Sequence, residues 1–132
     1  MIVLDTHALV WWVDGDTKKF SRKARQTIEQ HSRRNELLVA SVSIFEITTL
    51  ERRGRLRFKF SAADWLARLR RLPEYRIEPL ADDITERAGQ FGEAFPGDPA
   101  DRMIAATALL RRAALVTQDE KLRKIEYLNT IW

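Results

Sequence analysis

The chain has 132 residues, 45% hydrophobic and 32% charged, a size and balance that suit one compact domain and leave little room for a second. Its 23 Lys and Arg against 19 Asp and Glu give a formal charge of +4, which admits a polyanionic partner. Cysteine is absent and histidine occurs only at positions 7 and 31, so disulfide frameworks, thiol nucleophiles and iron–sulfur sites are excluded and a His-rich zinc centre fits poorly.

The N-terminal run Met1-Ile2-Val3-Leu4 is too short for a signal peptide, and no later segment reaches the roughly 20 apolar residues of a membrane span. A cytoplasmic protein with no membrane partner, one domain over residues 1–132, is the expectation. In chain order, branched apolar residues predict a strand at 2–4 and helical periodicity predicts a helix at 21–35. A strand at 37–39 follows, then helices at 43–53 and 61–72. A weaker strand at 77–80, helices at 82–91 and 99–112, and a strand at 115–116 complete the series. Ser43 with Glu46, and Ser61 with Asp64, have capping-box spacing; Gly54 reads as a helix stop and Asp98-Pro99 as an N-cap before a first-turn proline. Strands alternating with helices predict an α/β fold, a three-layer α/β/α sandwich around a mostly parallel sheet. No repeat or linker divides it.

In an open parallel sheet, ligands bind beyond the carboxyl ends of the strands, where strand order reverses. Asp5 and Asp119 follow predicted strands, Glu46 lies one turn into the helix after the second strand, and Asp101 lies in the first turn of the helix at Pro99. Taken singly, each has an ordinary explanation as a helix cap or as a carboxylate favoured by a helix dipole. Four together at one end of one sheet are less easily dismissed. Asp101 begins the apolar stripe of Ile104, Ala105 and Ala108, and Glu46 shares a face with Thr49 and Leu50. Burying several unpaired carboxylates costs several kcal/mol unless a cation neutralises them. An all-oxygen set suits Mg²⁺ or Mn²⁺ and hence phosphoryl chemistry, with Thr6 and Thr117 near enough in sequence to orient a water or a phosphate oxygen.

Other phosphate chemistries match less well. The five glycines are scattered, with no phosphate-cradling loop. An aspartyl phosphatase would want an acid two residues after Asp5, where His7 stands, and a receiver-like signalling domain would want paired acids after the first strand.

Four segments taken together resemble the PIN-domain ribonucleases, and in particular the VapC-type toxins of bacterial toxin–antitoxin pairs. They are Met1 to Trp12, Ser43-Ile44-Phe45-Glu46-Ile47, Asp98-Pro99-Ala100-Asp101-Arg102-Met103-Ile104-Ala105-Ala106-Thr107-Ala108, and Leu115-Val116-Thr117-Gln118-Asp119. The resemblance implies that Asp5, Glu46, Asp101 and Asp119 are the acidic catalytic and metal-holding residues, with Thr117 the accompanying hydroxyl. It further implies an Mg²⁺- or Mn²⁺-dependent endoribonuclease that leaves a 3′-hydroxyl, working as a homodimer and held by a VapB-type antitoxin whose tail lies over the acids. Asp98 reads as a helix cap. A catalytically silent PIN-like module that binds RNA or protein is the alternative, disfavoured because bare carboxylates repel RNA phosphates.

The densest basic run is Arg52, Arg53, Arg55, Arg57 and Lys59, with Arg68, Arg70 and Arg71 soon after; such a run is most often a solvated face. Trp11, Trp12, Trp65 and Trp132 are expected as core or interface anchors more than as base-stacking groups. Adjacent Trp11 and Trp12 cannot share a helix face, so one is expected in the core and the other at a dimer or antitoxin surface. His7 is expected as a neutral imidazole bonded to backbone, with a role as proton donor second.

Overall fold

The computed structural model of the protein describes residues 1–55 and 61–132. Five parallel strands lie in the order β3-β2-β1-β4-β5, where β1 is Ile2–Leu4, β2 Leu37–Ala40, β3 Tyr75–Glu78, β4 Ala114–Val116 and β5 Thr130–Ile131. The helices are α1 Thr6–Val13, α2 Arg22–Arg33, α3 Val42–Arg52, α4 Ala62–Arg71, α5 Asp82–Gln90, α6 Pro99–Leu110 and α7 Glu120–Arg123, with a short 3₁₀ turn at Thr17–Lys19. The expected three-layer α/β/α sandwich is therefore present, with a sheet that is wholly parallel.

The side-chain period of two divides the core between the faces of the sheet. Ile2, Leu4, Leu37, Val39 and Val116 pack with Leu9 of α1, Ile28 of α2, Ile47 of α3, and Trp65 and Leu69 of α4. Val3, Leu38 and Leu115 face the other way and pack with Ile84 and Ala88 of α5, Ile104, Ala105 and Ala108 of α6, and Leu122 of α7. Register reinforces the division, since Val3 is aligned with Leu38 on one side and Leu115 on the other. Strands buried on both faces are the reason these segments read as unbroken apolar runs.

Local signals explain most boundaries. Ser21 and Ser61 cap α2 and α4, accepting from the Ala24 and Asp64 N–H groups, and Gly54 takes a left-handed φ of 68° just past α3. The third strand runs two residues earlier than the pattern predicts, because Pro79 has no N–H to continue the ladder. The expected Ser43 cap does not form. Ser41 is the residue before α3, and Ser43 sits inside the first turn with its hydroxyl accepting from Thr6. Two helices and a strand went unpredicted: α1, which is apolar nearly all round and shows little amphipathic contrast, the single-turn α7, and the two-residue β5. Among the described residues no helix is long and apolar enough to cross a membrane.

Candidate active site

Strand order reverses at β1, whose neighbours are β2 and β4. Beyond the carboxyl ends of β1 and β4 lies a cleft of about 600 Å³ lined by Asp5, Glu46, Asp98, Asp101, Asp119 and Glu120, with Thr6, His7, Trp11 and Gln118. All four predicted acids meet there, delivered by four different segments. Asp5 ends β1 and caps α1, its Oδ1 accepting from the Ala8 N–H at 2.8 Å. Asp119 follows β4 and caps α7, accepting from the Lys121 N–H at 2.9 Å. Each of these carboxylates spends one oxygen on a helix N-terminus, which fixes its rotamer while leaving acceptor capacity toward the cleft.

Glu46 projects from α3 without any reciprocal role in a cap. Asp101 stands in the first turn of α6, and its N–H donates to the Asp98 Oδ1 at 3.2 Å. Asp98 thus caps α6, as expected, and also lines the cleft. The loop before α6 is held by Arg102, whose Nε donates to the Pro96 carbonyl at 2.9 Å. Its other guanidinium nitrogens donate to the carbonyls of Ala88, Phe91, Gly92 and Phe95. One planar donor fork thereby ties five backbone carbonyls to α6 and sets where Asp98 and Asp101 stand.

Thr117 is fully buried and does not line the cleft. Its hydroxyl accepts from the Asp119 N–H at 3.1 Å and hydrogen-bonds the Asp5 carboxyl. It lies behind two of the acids and is bonded to both residues. Thr6 is buried as well, with its hydroxyl committed to Ser43. His7 is exposed at the rim against Trp11, with ring centroids 5.8 Å apart; no hydrogen bond to its imidazole occurs among the described residues, so the expected backbone tether is not seen. Trp11 and Trp12 are both half-buried and both pack edge-on to Phe20, so neither is the fully buried core residue that their adjacency suggests for one of them. Trp65 is a buried anchor, its indole donating to Asp14 at 2.9 Å.

The acids disturb one another. Asp101 is pushed up to about 7, first by burial and then by the charges of Asp98, Asp119, Glu46 and Asp5. Asp5 is also raised, by burial above all and slightly by Glu46, against the lowering effects of the Thr117 and Ala8 hydrogen bonds and of His7. Among the described residues lining the cleft none is Lys or Arg. Among the described residues no three acids or imidazoles converge closely enough to ligate one ion together. This donor set still suits a hydrated hard cation, since Mg²⁺ retains several waters and takes one or two carboxylates directly.

Residues absent from the sequence-based set but present in the cleft are Trp11, Gln118 and Glu120, along with the cap Asp98 and the rim residue His7. Gln118 and Glu120 flank Asp119, the cap of α7.

Over residues 2–127 the chain matches the PIN domain family. It is 34% identical to Ribonuclease VapC22 of Mycobacterium tuberculosis, across 99% of this chain and 98% of that one. Among solved structures, it is similar in fold to a chain of VapBC2 from Rickettsia felis bound to a DNA fragment from their promoter, with a TM-score of 0.71 at 19% identity over 99% of this chain and 98% of that one. A chain of DNA-bound VapBC from Salmonella typhimurium is similar at a TM-score of 0.70 and 15% identity, over 99% of this chain and 98% of that one. With its sheet order, its acid-lined cleft and these matches in agreement, the chain belongs to the PIN domain family.

Proposed function

We propose that the protein is an endoribonuclease that works with Mg²⁺ or Mn²⁺ in the cytoplasm and serves as the toxin of a toxin–antitoxin pair. The observation that carries this reading is the cleft of mutually repelling carboxylates without a lysine or arginine among its described lining, placed where the sheet reverses order. A ribonuclease among its relatives, and fold neighbours that are VapBC complexes, support RNA as substrate and a VapB-type antitoxin as partner. The catalytically silent alternative lacks a reason for so many uncompensated acids.

Asp5, Glu46, Asp101 and Asp119 are the residues that would hold the ion, one or two of them directly and the others through its waters. When bound, the ion supplies Lewis-acid activation of water and of the scissile phosphodiester at neutral pH. Asp5 and Asp119 are pre-oriented by their helix caps and by the Thr117 hydroxyl behind them, so little rotamer entropy remains to be lost on binding. Asp101 is raised to about 7 in the bare protein, and as a ligand it would be needed in its ionised form. The hydrolysis adds water across the P–O3′ bond, with the hydroxyl going to phosphorus and the proton to the departing 3′-oxygen. This is consistent with a 3′-hydroxyl product. The reading includes a homodimer whose cleft the antitoxin covers, which size-exclusion chromatography of the chain alone and with its antitoxin tests.

The direct test is cleavage of a pool of structured RNAs by antitoxin-free protein with Mn²⁺ or Mg²⁺, with EDTA, and with Asp101→Asn. Discrete cuts that vanish in EDTA and in the variant are expected. No cleavage by folded, metal-loaded protein would favour a binding role.

A further inference from the structure

Beside the acidic cleft, at the carboxyl end of edge strand β5, lies a second cleft of about 430 Å³. It is lined by Lys23, Arg123 and Lys124, with Glu120, Thr130 and Trp132. Three cations face one carboxylate there, the reverse of the neighbouring cleft. The two adjoin, for Glu120 lines both. Their shared wall is aromatic: Trp11 of the first meets Trp132 of the second at 6.2 Å between centroids, and Phe20 supports both rings at 6.1 and 5.2 Å. Among the described residues none of the three cations is engaged in an ion pair, so their charge is available to an incoming anion.

We propose that this basic cleft is the subsite for single-stranded RNA flanking the scissile phosphate, with Lys23, Arg123 and Lys124 meeting backbone phosphates and Trp132 giving a base a stacking surface. The inference rests on the RNA-cleaving function proposed above and adds where the strand lies. An acidic cleft alone repels the substrate it must cut, and a basic cleft next to it supplies the missing attraction. A cationic groove lined by an aromatic ring is the usual platform for single strands. Density of charge along the chain points elsewhere, to Arg52, Arg53 and Arg55. Arg52 ends α3, about 9 Å along its axis beyond Glu46, Arg53 and Arg55 follow it, and none of the three lines either cleft.

The test is fluorescence anisotropy with a short labelled oligouridylate across a salt titration, in an Asp101→Asn background that holds the strand without cutting it. Combined Lys23→Ala, Arg123→Ala and Lys124→Ala should lower the log–log salt slope by about 2 and weaken binding at least tenfold. Trp132→Ala should weaken it about tenfold with the slope kept. Arg52→Ala, Arg53→Ala and Arg55→Ala together should change neither. An unchanged slope in the first set, or an equal loss in the last, overturns the proposal, as does loss of antitoxin inhibition with RNA affinity intact. Because the readout is binding, failure of the basic cleft is separable from failure of catalysis: a protein that cuts RNA normally without the three cations retains its function and loses only this subsite.

Discussion

The Thr6 hydroxyl donates to the Ser43 hydroxyl over 2.9 Å, and both residues are buried. This single contact ties the first turn of α1 to the first turn of α3, one residue from Asp5 and one helical turn from Glu46. It sets the separation of two acids that come from segments about forty residues apart in sequence. Thr6→Val keeps the shape and leaves Ser43 without its donor. The expected cost is about 1–3 kcal/mol, read by urea denaturation, and combining it with Ser43→Ala should recover part of that loss.

The bare protein should be sensitive to pH through Asp101. Its carboxyl rises from 3.8 to about 7 on folding, so the folded state holds the proton more tightly than the unfolded state. The associated stability is present in full below about pH 4 and is lost as pH rises through about 7. Thermal melts in EDTA should therefore fall over this window, and Asp101→Asn should flatten the dependence. Mn²⁺ should reverse the loss at neutral pH, because it binds the ionised form.

Arg102 offers a sharper test of how the acids are placed. Arg102→Ala removes five donations to loop carbonyls and should cost about 3 kcal/mol, since charged hydrogen bonds to partly buried acceptors are lost together. Arg102→Lys should not restore it, as one ammonium cannot reach the acceptors that a planar fork spans. Differential scanning calorimetry measures both, and hydrogen exchange at 91–98 should rise in each.

What was legible in the sequence follows from the range of each interaction. Strands β1, β2 and β4 are buried on both faces, so their apolar runs stand out locally, and the four acids beside strand ends or in a first helical turn could be found from position alone. Helix α1 escaped because it is covered nearly all round, which removes the contrast that marks an amphipathic helix. The missing cap at Ser43 shows the opposite limit. A local capping pattern was present, but Thr6, 37 residues away, had the better claim on the hydroxyl. The basic cleft was illegible for the same reason: Lys23 and Arg123 are a hundred residues apart in sequence, and only the placement of α2 and α7 brings them to one wall.

A control remote from chemistry lies at Glu78, a buried carboxylate at the end of β3 that pairs with Arg111 and lies 3.8 Å from Arg76. Arg111→Ala should destabilise by about 2 kcal/mol, the cost of a buried acid left with only its weaker partner. Neither residue lines the acidic cleft. Cleavage by the folded fraction should accordingly be unchanged, measured as rate per native molecule after a denaturation curve fixes that fraction.

The most direct measurement is to titrate Mn²⁺ into one protein sample while following ion occupancy by electron paramagnetic resonance and RNA cleavage by gel, for the wild type and for Asp101→Asn. Cleavage should rise along the same isotherm as occupancy in the wild type, and the variant should lose both, with a rate at least a hundredfold lower. Full cleavage with no ion bound, or occupancy unaffected by Asp101→Asn, would contradict the assignment of these carboxylates as the metal-holding centre.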